Sequence, residues 1–249
     1  MMTIDAKKLK WPNLLLVLVV VLALGGLVVT LLGPVMNHQE NISFNHWYGN
    51  WPMMVGAVAL FVAFLLGFVR PRGAPAWRSA GMGAAFFIAL FTEMFGIPLT
   101  IYFLSAYTDV SPGLFGHQQS HLWAYLLNQT GLLPMQWAVY VVMTLSMVLI
   151  TTGVIVVTLG WRQIYLAHSD LVTNGIYRYV RHPQYTGFFL VIFGFLIQWP
   201  TLITLAMAPV LFWMYRRLAR REEAVMIDQF GETYRHYMTQ VNGFIPRIR

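Results

Sequence analysis

Five long runs of apolar residues limit this chain to a membrane-embedded fold. They cover Leu14–Val35, Pro52–Val69, Ala80–Ala106, Pro134–Leu159 and Tyr185–Tyr215. The first run has 22 residues without a charge, and a helix of that length crosses a hydrocarbon core about 30 Å thick. The last run contains Gln198, Trp199 and Pro200 near its middle, which predicts a hairpin of two short helices. The sequence therefore predicts an all-α, polytopic transmembrane bundle of about six crossings, or of four crossings and a re-entrant helical hairpin.

The composition agrees with a membrane protein and excludes several kinds of chemistry. Hydrophobic residues make up 58% of the chain and charged residues 10%, whereas about 25% of an ordinary soluble domain is charged. The chain has no cysteine, so disulfides, thiolate metal sites and cysteine nucleophiles are excluded. Any metal ion would need ligands from His, Asp, Glu or Met.

The first apolar run resembles a signal peptide only in part. Lys7, Lys8 and Lys10 precede it, as the basic region of a signal peptide would. The run is nevertheless longer than a signal core of about 7 to 15 residues, and no small-residue cleavage site follows it. We expect it to be a retained membrane anchor.

The basic residues predict the orientation of the chain. All 16 of them lie within residues 7–10, 70–78, 162–181 and 216–249, and the alternate connections at 36–51, 107–133 and Trp199 contain none. Because Lys and Arg near helix ends stay on the cytoplasmic side, both termini are predicted to be cytoplasmic. The net charge of +7 then reflects topology and attraction to anionic lipid, and no nucleic-acid partner is expected.

Polar motifs are concentrated in the predicted cytoplasmic segments. Between the fourth and fifth crossings, Asn174-Gly175 indicates a turn and Pro183 a helix start. After the hairpin, adjacent Glu222 and Glu223 are followed by F-G-E-T-Y-R-H-Y at 230–237. The predicted topology returns all of these groups to one face of the membrane.

These motifs carry a resemblance to a known family. G-I-Y-R-Y-V-R-H-P-Q-Y-T-G at 175–187, the E-E pair, F-G-x-x-Y-x-x-Y and a terminal F-I-P-R together resemble the isoprenylcysteine carboxyl methyltransferase superfamily. That superfamily also includes phospholipid N-methyltransferases and methanethiol S-methyltransferases. The resemblance covers about residues 173–249, and the first 135 residues match no pattern of the family. It implies a polytopic helical methyltransferase that binds S-adenosylmethionine between its C-terminal helices, in a pocket open to the cytosol.

The resemblance also implies roles for individual residues. The cofactor presents a carboxylate, an ammonium, ribose hydroxyls, an adenine ring and a sulfonium, which require donors, a carboxylate and an aromatic or apolar slot. Arg181 and His182 are expected at the methionine carboxylate, Glu222 and Glu223 at the ribose or ammonium, and three tyrosines around the adenine and sulfonium. The predicted cofactor-binding residues are Tyr177, Arg181, His182, Pro183, Tyr185, Gly187, Glu222, Glu223 and Tyr234. Arg181 is also predicted to be catalytic, together with Glu93, which lies outside the resemblance.

Glu93 is a carboxylate inside the third apolar run. On insertion scales a charged side chain at the bilayer centre costs about 2.5 to 3.5 kcal/mol, so Glu93 is expected to face the protein interior. There it would orient or deprotonate an acceptor, or bond a neighbouring helix through Thr92 or Thr100. Gly96 and Pro98 are expected to loosen this helix and favour a cavity.

Four histidines lie in the predicted outer loops. They are His38, His46, His117 and His121. The last two are four residues apart, a spacing that places both on one face of a helix. Two interpretations follow: a metal site facing away from the cytoplasm, or polar interfacial loops. We expect the second and predict no metal ligand.

The sequence divides the chain into two functional regions. Residues 1–160 are predicted to form transmembrane helices with the acceptor cavity, and residues 161–249 the S-adenosylmethionine-binding region. The predicted function is methyl transfer to a lipophilic or membrane-permeant acceptor, either a lipid amine or an isoprenoid-like carboxylate. A small thiol such as methanethiol is an alternative acceptor. A transporter or metal-handling protein using Glu93 and the outer histidines is an alternative of another class. The sequence does not identify protein partners.

Overall fold

A computed structural model describes residues 51–69, 77–108, 122–167 and 170–247. The α-helices in these ranges are α1 (Trp51–Val69), α2 (Trp77–Phe91), α3 (Leu99–Thr108), α4 (Leu122–Gln129), α5 (Met135–Leu166), α6 (Pro183–Gln198) and α7 (Leu202–Gln240). A π-helical segment follows α2 and a 3₁₀ turn precedes α6. The described residues contain no strand, only an isolated parallel bridge between Val180 and Asn242. The predicted crossing Leu14–Val35 and all four outer histidines lie outside the described residues.

Four described helices are long and apolar enough to cross a membrane. They are Trp51–Phe68, Trp77–Gly96, Met135–Leu166 and Leu202–Gln240. Helix α6 is shorter, with 16 residues, or about 24 Å at 1.5 Å per residue. The predicted all-α, polytopic fold is therefore confirmed, and the predicted hairpin consists of a short α6 and a long α7.

Helix α7 corrects the prediction of two short hairpin helices. It has 39 residues, with a kink at Gly231, and continues well past Tyr215 because the following Arg, Ala, Glu and Met residues favour helix. Its start is fixed by a capping box between Thr201 and Thr204. Its buried positions, spaced three or four residues apart on one face, are Thr204, Ala208, Leu211, Tyr215 and Ala219.

Gly231 breaks the course of α7 near its end. It has φ of 54° and ψ of −130° within the helix, a conformation that residues with a Cβ rarely adopt. The helical residues after this kink carry Tyr234 and Tyr237, whose side chains are buried in a cluster with Val241. The F-G-x-x-Y-x-x-Y motif is therefore a kink followed by two inward-facing tyrosines.

Helices α5 and α6 pack closely through glycine. A Cβ placed on Gly153 would lie 2.5 Å from the carbonyl oxygen of Gly187, and a Cβ on Gly187 would lie 2.5 Å from that of Gly153. A Cβ on Gly160 would lie 3.1 Å from Cγ of Pro183. Contacts through small residues let transmembrane backbones approach closely, so these positions fix the depth of Pro183 and the start of α6. Helix α5 also crosses the predicted division at residue 160.

The third apolar run contains the break that Gly96 and Pro98 predicted. A π-helical segment, Thr92–Gly96, ends α2, and α3 begins at Leu99. Thr100 in α3 accepts a hydrogen bond on its Oγ1 from the backbone N–H of Leu202 at 3.0 Å. At the other end of the bundle, Tyr215 donates to the carbonyl oxygen of Ser79 in α2 at 3.0 Å. Helix α7 is thus attached to the α2–α3 segment at two levels.

Candidate active site

The start of α6 is joined to the chain that follows α7. Asn174-Gly175 forms the predicted turn, with Gly175 at φ of 55° and a 3₁₀ turn over Gly175–Arg178. The backbone N–H groups of Arg181 and His182 then donate to the carbonyl oxygens of Asn242 and Gly243 at 2.9 and 3.0 Å. Pro183 begins α6 as predicted. These bonds place Arg181 and His182 directly against the C-terminal segment.

Arg181 uses most of its donors within the protein. Its Nε and Nη2 donate to Oε1 of Glu223 at 3.0 and 2.7 Å, and its Nη1 donates to the carbonyl oxygens of Met238 and Val241 at 2.9 and 2.7 Å. A guanidinium has five N–H donors, and these four bonds occupy four of them. Arg181 therefore fastens the middle and the end of α7 to the start of α6.

His182 lies between the two glutamates. Its ring is buried and stacks on Phe244 with 5.5 Å between ring centres. Nε2 is 3.0 Å from Oε1 of Glu223, and Nδ1 is 3.8 Å from Oε2 of Glu222. His182 and Arg181 thus both contact the same oxygen of the Glu223 carboxyl.

Glu222 has a different environment from its neighbour. Its side chain is 50% exposed, whereas that of Glu223 is 15% exposed. The hydroxyl of Tyr185 donates to Oε1 of Glu222 at 2.6 Å. The ring of Tyr185 is held in turn by Phe68 and Tyr215, with ring centres 5.2 and 5.8 Å away. Glu222 is therefore an oriented carboxylate that remains accessible to a ligand.

Two other predicted tyrosines lie in neighbouring clusters. Tyr177 is buried with Ile164, and its hydroxyl accepts a hydrogen bond from Nε2 of Gln184 at 2.5 Å. Tyr234 is buried beside Tyr237, and the Tyr237 hydroxyl donates to the carbonyl oxygen of Tyr177 at 2.5 Å. Tyr177 and Tyr237 therefore join the 3₁₀ turn to the end of α7, and Tyr234 packs beside Tyr237. Their contact with the cofactor stays a prediction.

Pro183 and Gly187 face α5. Each supports the close approach between α5 and α6, Pro183 against Gly160 and Gly187 against Gly153. The close backbone approach expected at Gly187 is therefore made by a helix. Whether either residue also contacts the cofactor stays a prediction.

The structure places Glu93 far from the other predicted site residues. It is 2% exposed, as expected for a side chain facing the interior. Its Oε2 accepts from the backbone N–H of Thr100 at 2.9 Å, and Oε1 has no hydrogen-bond partner among the described residues. Through Thr100, Glu93 lies beside Leu202 at the start of α7. Glu222 lies 20 residues further along that helix, or about 30 Å.

The sequence did not predict several groups that build the site. They are Gln184, Thr186, Tyr237 and Phe244, which all lie inside the motifs of the family resemblance. Thr186 Oγ1 donates to the carbonyl oxygen of Phe244 at 2.8 Å, which holds the ring of Phe244 near His182. Their position within the motifs was the only available signal.

The fold and the cluster define a helical membrane protein with a polar site at one end of its last two helices. Residues 137–233 match the model of the phospholipid methyltransferase family. The sequence is 39% identical over 79 residues to the protein-S-isoprenylcysteine O-methyltransferase of Schizosaccharomyces pombe. The aligned part covers 31% of this chain and 34% of that protein. It is 38% identical over 81 residues to the protein-S-isoprenylcysteine O-methyltransferase of Dictyostelium discoideum, covering 31% of this chain and 33% of that protein.

The matches confirm the resemblance found in the sequence. A probable protein-S-isoprenylcysteine O-methyltransferase of Oryza sativa subsp. indica is also similar, at 32% identity over 34% of this chain and 44% of that protein. The matched part spans between a third and a half of the length of these relatives. The C-terminal region is therefore similar to the phospholipid methyltransferase family and to the protein-S-isoprenylcysteine O-methyltransferases.

Proposed function

We propose that the protein is an S-adenosylmethionine-dependent methyltransferase of the membrane. The observation that carries this proposal is the cluster of Arg181, His182, Tyr185, Glu222 and Glu223, which lies inside the region that matches the phospholipid methyltransferase family. The transporter alternative predicts polar groups near the bilayer midplane, at broken helices. This cluster lies instead at the start of α6, so the enzyme is favoured.

The hydrogen-bonding groups of the cluster fit the ammonium, ribose hydroxyl and carboxylate groups of the cofactor. Glu222 is accessible and held by Tyr185, so its carboxylate suits an ammonium or ribose hydroxyls. Glu223 is occupied by Arg181 and His182, so we assign it to positioning those two residues. Arg181 retains one N–H beyond the four described bonds, which it can offer to a carboxylate.

S-adenosylmethionine supplies an electrophilic methyl group on its sulfonium when bound. The protein's contribution is to bind and orient both reactants and to exclude water. Glu222 would hold the donor, Arg181 and Glu223 would keep the start of α6 and the middle of α7 in register, and Phe68 and Tyr215 would close the site on its apolar side. Displacement at a methyl carbon needs no covalent enzyme nucleophile, in agreement with a chain that lacks cysteine.

For the acceptor we propose the carboxylate of an isoprenylcysteine-like lipid. The named relatives support this choice. A carboxylate is already ionised near neutral pH, whereas a lipid amine or a thiol must lose a proton before it can attack. Glu93 lies beside Leu202, and Glu222 is about 30 Å further along α7. Glu93 is therefore too far away to serve as a base at Glu222, and an acceptor that needs no base fits the arrangement better than the lipid amine or the small thiol.

The test supplies purified protein in lipid nanodiscs with methyl-labelled S-adenosylmethionine and three acceptors. These are an S-farnesylated N-acetylcysteine, phosphatidylethanolamine and methanethiol. We expect the label in the farnesylated compound as a methyl ester, from which mild base releases the label. Label in the phospholipid or the volatile fraction would contradict the proposed acceptor, and no label in any fraction would contradict the enzyme.

A further inference from the structure

A cavity of about 400 Å³ lies beside the end of α5 and contains none of the residues of the polar cluster. It is lined by Leu159, Arg162, Gln163, Leu166, Gly175 and Ile176. Its volume is within the range of ligand pockets, about 300 to 1,000 Å³. The lining combines three branched apolar side chains with a guanidinium, so the cavity suits an amphipathic ligand with a negative group.

The floor of this cavity is fixed by the fold. Oε1 of Gln163 accepts a hydrogen bond from the backbone N–H of Ile176 at 3.2 Å. Gly175 has φ of 55°, and a Cβ at this position would collide with the side chain of Gln163. The 3₁₀ turn is therefore fastened to α5 at a glycine whose positive φ other residues rarely adopt.

One arginine lines the cavity and a second lies close to it in the sequence. Arg162 is the lining residue, and Arg178 ends the 3₁₀ turn that contains the lining residues Gly175 and Ile176. Neither forms an ion pair within the ranges that the structure covers, and the acidic residue nearest in sequence, Asp170, is not paired with either. The positive charge is therefore available to an anion.

The depth of the cavity matches the lipid headgroups. The apolar run of α5 ends at Leu159, and Arg162 follows three residues later, about 4.5 Å further along the helix. A headgroup layer is roughly 5 to 7 Å thick on each side of the hydrocarbon core. Leu159 and Leu166 are 43% and 67% exposed, so apolar surface is presented beside the charge.

We propose that this cavity binds one anionic phospholipid of the surrounding leaflet. Arg162 contacts the phosphate, Arg178 adds positive charge, and Leu159 and Leu166 contact the start of an acyl chain. The charge complementarity and the amphipathic lining select this occupant. The proposal does not depend on methyl transfer.

Native mass spectrometry of the full chain in detergent, titrated with dioleoyl phosphatidylglycerol or dioleoyl phosphatidylcholine, tests the proposal. We expect one retained phosphatidylglycerol and at least a tenfold preference over phosphatidylcholine. Arg162→Gln should weaken retention about tenfold, the effect of losing one charged hydrogen bond. Arg235→Gln is the matched control, because Arg235 is an exposed arginine that pairs with Glu232 elsewhere, and it should retain the lipid as the wild type does.

A second variant tests the cavity separately from the charge. Leu159→Trp keeps both arginines but fills part of the space, and it should also weaken retention of phosphatidylglycerol. Equal retention by the wild type and Arg162→Gln, or no preference for the anionic lipid, would overturn the proposal. Competition by glycerol 1-phosphate as strong as that by the lipid would overturn it too, because it would show a site for a free anion.

Discussion

Glu222 and Glu223 are neighbours in the sequence but have opposite surroundings. Glu223 accepts three hydrogen bonds on Oε1 from Arg181 and His182 and is mostly buried. Glu222 is half exposed and accepts a hydrogen bond from the hydroxyl of Tyr185. The sequence predicted that both would approach the cofactor, because the family resemblance treats the pair as one motif. It did not predict the difference, which depends on Arg181 reaching Met238 and Val241 beyond the kink at Gly231.

Substitution should separate the two glutamates. Glu223→Gln removes the charge that pairs with Arg181, and we expect a loss of about 1 to 3 kcal/mol in the free energy of unfolding. Glu222→Gln should change stability by less than about 0.5 kcal/mol and weaken S-adenosylmethionine binding on the order of tenfold. Thermal unfolding and calorimetric titration measure the two effects. Equal losses of stability in both variants would contradict the division of roles.

Glu93 is expected to act on the fold more than on the reaction. In Glu93→Gln the amide oxygen can still accept a hydrogen bond from the N–H of Thr100. The free energy of unfolding should therefore change little, and turnover should stay within about threefold of the wild-type rate. Glu93→Leu removes this bond at the start of α3 and should cost about 1 to 3 kcal/mol. Rates measured with saturating cofactor check both variants. A loss of about 10²-fold in Glu93→Gln would instead support a catalytic base.

At the level of elements, the apolar runs predicted helices better than they predicted how the helices end and pair. The boundaries of α1 and the start of α5 agree with the runs within a residue. The sequence did not reveal that α5 and α7 continue as helices into their polar segments, because loss of hydrophobicity indicates the membrane edge and not a helix end. The contact of Gly153 with Gly187 was also missed, since one sequence does not show which glycines on two helices meet.

The glycine contact between α5 and α6 should be sensitive to a single methyl group. Gly187→Ala would place a Cβ 2.5 Å from the carbonyl oxygen of Gly153, and we expect a loss of about 1 to 3 kcal/mol from overpacking. Gly56→Ala is the control, because nothing lies within 4 Å of that position in α1. Its expected effect is zero or a slight gain, since alanine favours helix. Unfolding midpoints in one detergent compare the two, and equal midpoints would show that α6 shifts to relieve the contact.

At the scale of the whole molecule, the distribution of basic residues and the course of α7 indicate the same orientation of the protein across the bilayer. Helix α7 runs from Leu202, beside Glu93, to the polar cluster at Glu222, about one hydrocarbon thickness away. The basic residues of α7 lie in its C-terminal part, from Arg216 onward. If Lys and Arg mark the cytoplasmic side, the cluster faces the cytosol, where S-adenosylmethionine is available.

The absence of cysteine allows a direct test of this orientation. Thr239→Cys and Gln129→Cys each introduce a single thiol at an exposed residue, the first at the end of α7 and the second at the end of α4. In sealed cells, a membrane-impermeant maleimide should label the second thiol and should label the first only after lysis. The reverse pattern would contradict a cytoplasmic C-terminus and, with it, access of the cofactor to the site.

The length of α7 also determines how the acceptor is supplied. Glu222 lies about 30 Å along the helix from Leu202, so the proposed site opens where water meets lipid, and an acceptor with a prenyl chain would arrive by lateral diffusion within one leaflet. The effective substrate concentration is then a mole fraction in the surface. Adding inert lipid at a fixed bulk amount of acceptor should slow turnover through surface dilution, while dilution with buffer should leave the rate per enzyme unchanged.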